Sequence, residues 1–326
     1  MDIKKICVSS SSALYVLAVI SNPIRFKSRY QLYQQFVKHA EDSGAVVYTV
    51  EQAFGQREFE ITDVNNPRHI RVRTDHELWH KENLINIGIA RLPPEAQYIA
   101  WVDADITFAR PDWVEETVHQ LQHHWFVQMF SHATDMGPRH QPLQVHQGFV
   151  YSWYNNSLHT PSAIPGDYYT VTDSGLHKWH PGFAWAAHRE ALDHVGQLID
   201  WAILGSADRH MACALIGQAS ISLYPNMAVH CPEYVERLME WEARCNRYIK
   251  HDIGYVDGMV LHHWHGKKKD RGYVDRWKVL VENNFNPNTD IKYDAQGLLQ
   301  LSDTNLGLRD GIRKYLRSRH EDSIDE

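Results

Sequence analysis

Apolar residues along this chain fall into short unbroken runs, separated by stretches in which they recur every three or four positions. Ala13 to Ile20 is one such run, rich in branched and aromatic side chains, and reads as a strand buried on both faces of a parallel sheet. After the polar turn Ser21-Asn22-Pro23, Leu32, Phe36, Val37 and Ala40 recur at helical spacing, and Gly44 suits the left-handed end of that helix. Ala45 to Val50 reads as the second strand. A helical stretch from about Glu77 to Leu92 is stopped by Pro93-Pro94, and Tyr98 to Val102 is the next strand. Arg110-Pro111-Asp112 opens another helix, with Pro111 at a tolerated first-turn position. Trp125 to Phe130 and Gly148 to Tyr151 read as strands, and His132 to Gln147 between them as a mobile loop. Farther on come a strand over Phe183 to Ala187, a helix over Arg189 to Val195, a loop through Gly205 and a helix over Ala207 to Ile216. A basic helix from about Leu306 to Ser318 precedes an acidic tail, Glu321 to Glu326.

Alternating strands and helices predict an α/β fold with a mixed, mainly parallel sheet flanked by helices. With no internal repeat and no low-complexity linker, the chain reads as one main domain over 1–260, extended by 261–326 within the same domain.

Composition changes this picture little. The chain has 326 residues, 43% hydrophobic and 22% charged, which suits a globular protein. A formal charge of -7 disfavours a general nucleic-acid coat. The stretches Lys267 to Lys278 and Arg309 to Arg319 are nonetheless locally basic. Cys7, Cys213, Cys231 and Cys245 form no CxxC pair, so reduced thiols in a cytoplasmic protein are expected. Ala13 to Ile20 is too short for a membrane helix, which needs roughly 20 apolar residues. No membrane association is expected, and no protein partner is evident.

Candidate chemistry centres on Val102-Asp103-Ala104-Asp105-Ile106. Two carboxylates one residue apart, at the carboxyl end of an apolar strand, lie where open α/β sheets bind ligands. Such a pair suits Mg2+ or Mn2+ with phosphate oxygens completing the shell. Aspartates also shape turns, so the pair alone is ambiguous. A second cluster, His262-His263-Trp264-His265-Gly266-Lys267-Lys268-Lys269, offers imidazole ligands and ammonium groups that can neutralise a diphosphate. His262 and His263 read as ordinary core or surface histidines ahead of metal ligands.

With these motifs in hand, the chain resembles the GT-A glycosyltransferases, and among them the inverting galactosyl- and N-acetylgalactosaminyltransferases. That family's Pro-Phe-Arg-x-Arg segment is similar to Pro23-Ile24-Arg25-Phe26-Lys27-Ser28-Arg29, which implies donor contacts from Pro23, Arg25 and Arg29. Its Asn-Gln-Ala-like segment resembles Val50-Glu51-Gln52-Ala53 and puts Glu51 near the nucleotide. Its Asn-Arg-Ala-Lys-Leu-Leu-Asn-Val-Gly helix resembles Lys81 to Gly88, without the Arg, and implies Asn83 and Asn86 on the donor side. The resemblance makes Asp105 a direct metal ligand and Asp103 a nucleotide or supporting metal contact. The family's acceptor-binding and catalytic segments resemble Gly182 to Ala187 and Trp201 to Asp208, although Ala207 replaces a glutamate. They imply acceptor contacts from Gly182, Trp185 and Trp201, with Asp208 as catalytic base. Its His-Ser-x-x-Lys segment resembles His265-Gly266-Lys267-Lys268, implying His265 as a metal ligand and Lys267, Lys268 and Lys269 on the diphosphate.

The resemblance implies a Rossmann-like GT-A catalytic domain over 1–260, with the metal and diphosphate segment in 261–326. The implied reaction moves a sugar from a nucleotide-sugar donor, a UDP-sugar foremost, to an acceptor hydroxyl with inversion. Mn2+ or Mg2+ is the implied cofactor, and a glycan, a protein side chain or a hydroxymethylated DNA base the acceptor. A nucleotidyltransferase and a non-catalytic carbohydrate-binding protein are the rival readings.

Overall fold

The computed structural model describes residues 13–158, 177–273 and 275–324. In chain order the elements begin with β1 (Leu14–Ser21), α1 (Lys27–Asp42), β2 (Val46–Phe54), β3 (His69–Thr74), α2 (Lys81–Arg91), β4 (Tyr98–Val102), β5 (Ile106–Phe108) and α3 (Trp113–Leu121). There follow β6 (Phe126–Gln128), β7 (His132–Met136), β8 (Pro142–Gly148), α4 (Phe149–Tyr154), β9 (His177–His180), β10 (Ala184–His188), α5 (Arg189–Val195) and α6 (Ala207–Leu215). The remainder comprises α7 (Met227–His230), α8 (Pro232–Arg244), β11 (Ile253–Tyr255), β12 (Met259–His262), α9 (Arg276–Glu282), β13 (Ile291–Tyr293), β14 (Leu299–Leu301) and α10 (Leu306–Arg317).

A seven-stranded sheet runs in the order β11-β6-β10-β4-β1-β2-β3. Its strands are parallel except β10, which lies antiparallel between β4 and β6. Apolar side chains on both faces of β1 explain why it is central. Leu14, Val16 and Ala18 join Tyr33, Phe36 and Ala40 of α1, whereas Tyr15 and Leu17 join Ile85 and Ile89 of α2. Helix α2 approaches β1 closely because residue 88 is glycine: a Cβ there would lie 2.6 Å from Leu17 Cδ2.

A second sheet, ordered β5-β12-β7-β8-β9, corrects the mobile loop expected over His132 to Gln147. That stretch forms β7 and β8, an antiparallel pair closed by Gly137 N–H donating to the Gln141 carbonyl at 2.7 Å. Its strand character is hidden because its buried positions include Thr134, Asp135 and His146, which are polar. Gly148 to Tyr151, expected as a strand, turns into α4, since a short apolar run fits either element until its neighbours are known. Pro111 lies just ahead of α3, which begins at Trp113 after Asp112.

The segment beyond 260 is built into the same body. Strand β12 crosses the 260/261 boundary, and Asn83 of α2 accepts from Leu299 N–H at 2.9 Å and donates to the Gly297 carbonyl at 3.0 Å. Cys213, Cys231 and Cys245 are buried free thiols, and Cys7 lies outside the described residues. Among the described residues no helix is long and apolar enough to cross a membrane.

His80, at the head of α2, illustrates what this packing demands. Its Nε2–H donates to the Leu299 carbonyl at 2.8 Å while Nδ1 accepts from the Gln52 amide at 3.0 Å, so the ring is held neutral. Burial pushes its pKa down to about 4. The unfolded chain therefore takes up the proton first, and stability is lost as the pH falls from about 6.5 towards 4. Urea denaturation at pH 7.0, 5.5 and 4.5 is expected to show this loss, with up to about 3 kcal/mol of it abolished in His80→Gln.

Candidate functional site

The candidate site lies where the chain passes from one sheet to the other. After β4 it turns through Asp103, Ala104 and Asp105 and enters β5. Strand β12 pairs antiparallel with β5, placing His262 opposite Ile106, and parallel with β7, placing His262 opposite Asp135. Backbone bonds pin the turn: Asp103 N–H donates to the Phe183 carbonyl and His263 N–H to the Asp105 carbonyl, each at 2.8 Å.

Three side chains converge as a result. Asp105 Oδ2 is 3.1 Å from His265 Nε2, Asp105 Oδ1 is 3.9 Å from His262 Nε2, and the two Nε2 atoms are 3.1 Å apart. His262 Nδ1 lies 2.7 Å from Asp135 Oδ1, which keeps the proton on Nδ1 and turns the Nε2 lone pair towards Asp105. Two imidazole nitrogens facing a carboxylate at such distances repel unless a proton or a cation joins them. Asp105 Oδ1 is buried without a hydrogen-bond partner, which leaves one acceptor for a cation. All three ligand atoms lie within 4.8 Å of one another, and two imidazoles with one carboxylate suit a divalent transition ion such as Mn2+.

The electrostatics agree with that arrangement. Burial by itself would raise the Asp105 carboxyl, but His265 and then His262 override it and hold it well below the usual range. Burial likewise opposes ionisation of Asp135, and hydrogen bonds from His146 and His262 hold it low. Burial pushes His262 down to about 4, so its ring is neutral and ready to donate a lone pair at neutral pH.

The structure brings part of the expected set together. Pro23, Arg29, Asp103, Asp105, Asp208, His265 and Lys268 line one pocket. Asp103 stands outside this group of three and forms an ion pair with Lys81. Burial raises its pKa against the opposing effect of Lys81. Asp208 stands in the first turn of α6, and a Cβ on Gly182 would lie 2.5 Å from its Oδ2, so Gly182 leaves room for that carboxylate. Gly205 and Ser206, both at positive φ, turn the chain into α6. Lys268 reaches Asp135 rather than open solvent, and Lys267 and Lys269 line an adjoining cavity with Leu143 and Trp264.

Other expected residues lie elsewhere. Arg25 is exposed and paired with Glu60. Glu51 accepts backbone N–H groups of Glu60 at 2.6 Å and Thr62 at 2.9 Å, which is a loop-holding role. Asn83 and Asn86 bond Asp200 and Leu198 and line a separate cavity behind α2. Trp185 donates to the Pro181 carbonyl at 2.7 Å within the core, and Trp201 packs edge-on to Tyr234.

Sequence reasoning left out several pocket residues. Lys81 and Glu82 open α2 as an adjacent pair, and burial pushes Glu82 up to about 7, with Lys81 opposing and Asp208 adding to the rise. Asp135 was concealed inside the presumed loop. Arg276, Arg319 and Glu321 come from the far end of the chain, all at most 6% exposed, and no local motif marks them.

No protein-family model and no curated protein sequence matches this chain. Solved structures are similar to it only distantly. A mutant of Drosophila β1,4-galactosyltransferase 7, in complex with manganese, UDP-Gal and xylobiose, is 11% identical over 92% of this chain and 98% of that one, at a TM-score of 0.39. The 4-diphosphocytidyl-2C-methyl-D-erythritol synthase of Anaerococcus prevotii is 9% identical over 76% and 88%, at 0.33. Residues 1–349 of S. aureus TarS are 8% identical over 61% and 54%, at 0.32. Likenesses this remote carry no argument about family or activity, so the functional reading rests on the site itself.

Calorimetric titration with Mn2+ tests the ligand set. Asp105→Ala, His262→Ala and His265→Ala are each expected to weaken binding by at least about tenfold, and Asp103→Asn by less than about threefold. A loss in Asp103→Asn equal to the others would place Asp103 among the ligands.

Proposed function

We propose that this chain is a metal-dependent glycosyltransferase of GT-A type that moves a sugar from a nucleotide-diphosphate donor to an acceptor hydroxyl with inversion. The observation that carries this reading is the convergence of Asp105, His262 and His265 in the same pocket as Asp208 and a wall of buried arginines. Asp105, His262 and His265 would hold the cation, Mn2+ foremost. When bound, it supplies charge neutralisation for a departing diphosphate.

The chain's own groups then have distinct parts. Arg29 and Pro23 border the end of β1, where a nucleotide diphosphate would approach the metal ligands. Arg271, buried in the pocket wall, adds positive charge beside Asp105. Asp208 takes the proton of the acceptor hydroxyl as that oxygen bonds to the anomeric carbon and the bond to the diphosphate oxygen breaks. Attack on the face opposite the leaving group gives inversion. Lys81, in the same pocket, places its positive charge beside both Asp103 and Asp208.

We infer a carbohydrate acceptor rather than a DNA base. A phosphate-tracking rim needs exposed, unneutralised cations, but Lys268, Arg271, Arg276 and Arg319 turn into the pocket. Arg313 and Arg317 both reach Glu77, Arg309 pairs with Asp310, and Lys278 with Asp275. The nucleotidyltransferase reading finds no support in the β1–α1 turn, since Ser21 to Phe26 lacks the glycines of a phosphate loop.

The test is calorimetric titration of the wild type and Asp105→Ala with UDP and GDP, each with and without Mn2+. Metal-dependent binding of one nucleotide, lost in Asp105→Ala, is the expected result. Asp208→Asn is expected to retain that binding within about threefold while transfer falls by about 10²- to 10⁴-fold. Absence of nucleotide binding in every combination would leave the non-catalytic reading.

A further inference from the structure

We propose that Glu321 is a positioning residue for the metal site, holding the His265 ring with its Nε2 turned to Asp105. This rests on the reading of Asp105, His262 and His265 as cation ligands.

Glu321 stands 56 residues after His265, in a segment whose acidity suggested a solvated tail, yet it is 1% exposed. Its carboxylate accepts from Arg29 of α1, with Arg29 Nη2 at 2.7 Å, and from Arg319 beyond α10. Burial opposes its ionisation, but those two guanidiniums hold it well below the usual carboxylate range. The same carboxylate faces His265: Oε2 is 3.7 Å from Nδ1, an atom that is buried and has no nearer hydrogen-bond partner. With a cation on Nε2, Nδ1 would carry the ring's proton, and the Glu321 carboxylate is the acceptor that faces it. A ligand histidine backed by a carboxylate is fixed in tautomer and orientation and binds more strongly. Asp135 stands behind His262 Nδ1 at 2.7 Å, and Glu321 takes the corresponding place behind His265 Nδ1 at the longer ion-pair distance of 3.7 Å.

Neighbouring residues hold Glu321 in place. Asp322 accepts the Lys27 and Ser28 backbone N–H groups at 3.0 and 2.9 Å, capping α1 where Phe26 offers no side-chain cap. Trp264 Nε1 donates to the Ser323 carbonyl at 2.7 Å, which fastens the segment to the loop bearing His265.

Mn2+ titration of full-length Glu321→Gln, Glu321→Asp and Asp322→Asn, each with a melting temperature taken without metal, separates positioning from simple anchoring. Glu321→Gln is expected to lose at least about tenfold in Mn2+ affinity. Glu321→Asp keeps the charge for the arginines but withdraws it from His265, so it is expected to lose affinity even if the Gln variant does not fold. Asp322→Asn is expected to lower the melting temperature and stay within twofold in affinity. Wild-type affinity in both folded Glu321 variants would overturn the proposal alone, as would affinity losses that merely track melting temperature across all three. A wild type that binds no Mn2+ would overturn this proposal together with the reading of the site.

Discussion

Strand β12 must lie between β5 and β7 in one register for the site to exist. That register sets His262 beside Asp135 on one side and beside the strand leading from Asp105 on the other. Because strand side chains alternate between faces, a one-residue slip would turn His262 away from both carboxylates. His265, three residues later, then reaches Asp105 across a loop already tied down by His263 N–H on the Asp105 carbonyl. The small second sheet therefore acts as the support on which the proposed metal ligands are spaced, and the large sheet delivers Asp105 to it through the turn after β4.

Buried charge explains why the pocket is arranged as it is. A carboxylate removed from water is tolerated only when cations or hydrogen-bond donors surround it. Asp103 has Lys81, Asp135 has His146, His262 and Lys268, and Glu321 has Arg29 and Arg319. Asp105 departs from this pattern, with one oxygen on His265 and the other buried without a hydrogen-bond donor. A divalent cation would resolve that imbalance and the repulsion between the two facing imidazole nitrogens at once. Phe183 closes the wall beside them, its ring stacked on His180 and tilted against His262.

The far end of the chain links the two halves of the pocket. Glu321 faces His265, Arg319 bonds Glu321 and Tyr315, and Arg276 bonds Tyr315 and Ser206 at the head of α6. This run of polar contacts extends from His265 to the helix that carries Asp208. The position of the proposed base relative to the cation thus depends on α10 and the residues after it as much as on the central sheet.

The amino-acid sequence alone determined the central strands and helices, because their apolar side chains repeat with the period of the element they form. Strands β1 and β4, helix α5 and the turn bearing Asp103 and Asp105 were legible for that reason, whereas His265 was singled out only through the family resemblance. The second sheet was not legible, since β7 and β8 bury the polar Thr134, Asp135 and His146 while the apolar Leu143 is exposed. His262 beside Asp105, Asp135 and Glu321 behind the histidines, and Asp103 paired with Lys81 were decided only by tertiary structure. Each depends on the pairing of residues distant in sequence, and local patterns encode which face a side chain occupies but not which distant side chain will meet it there.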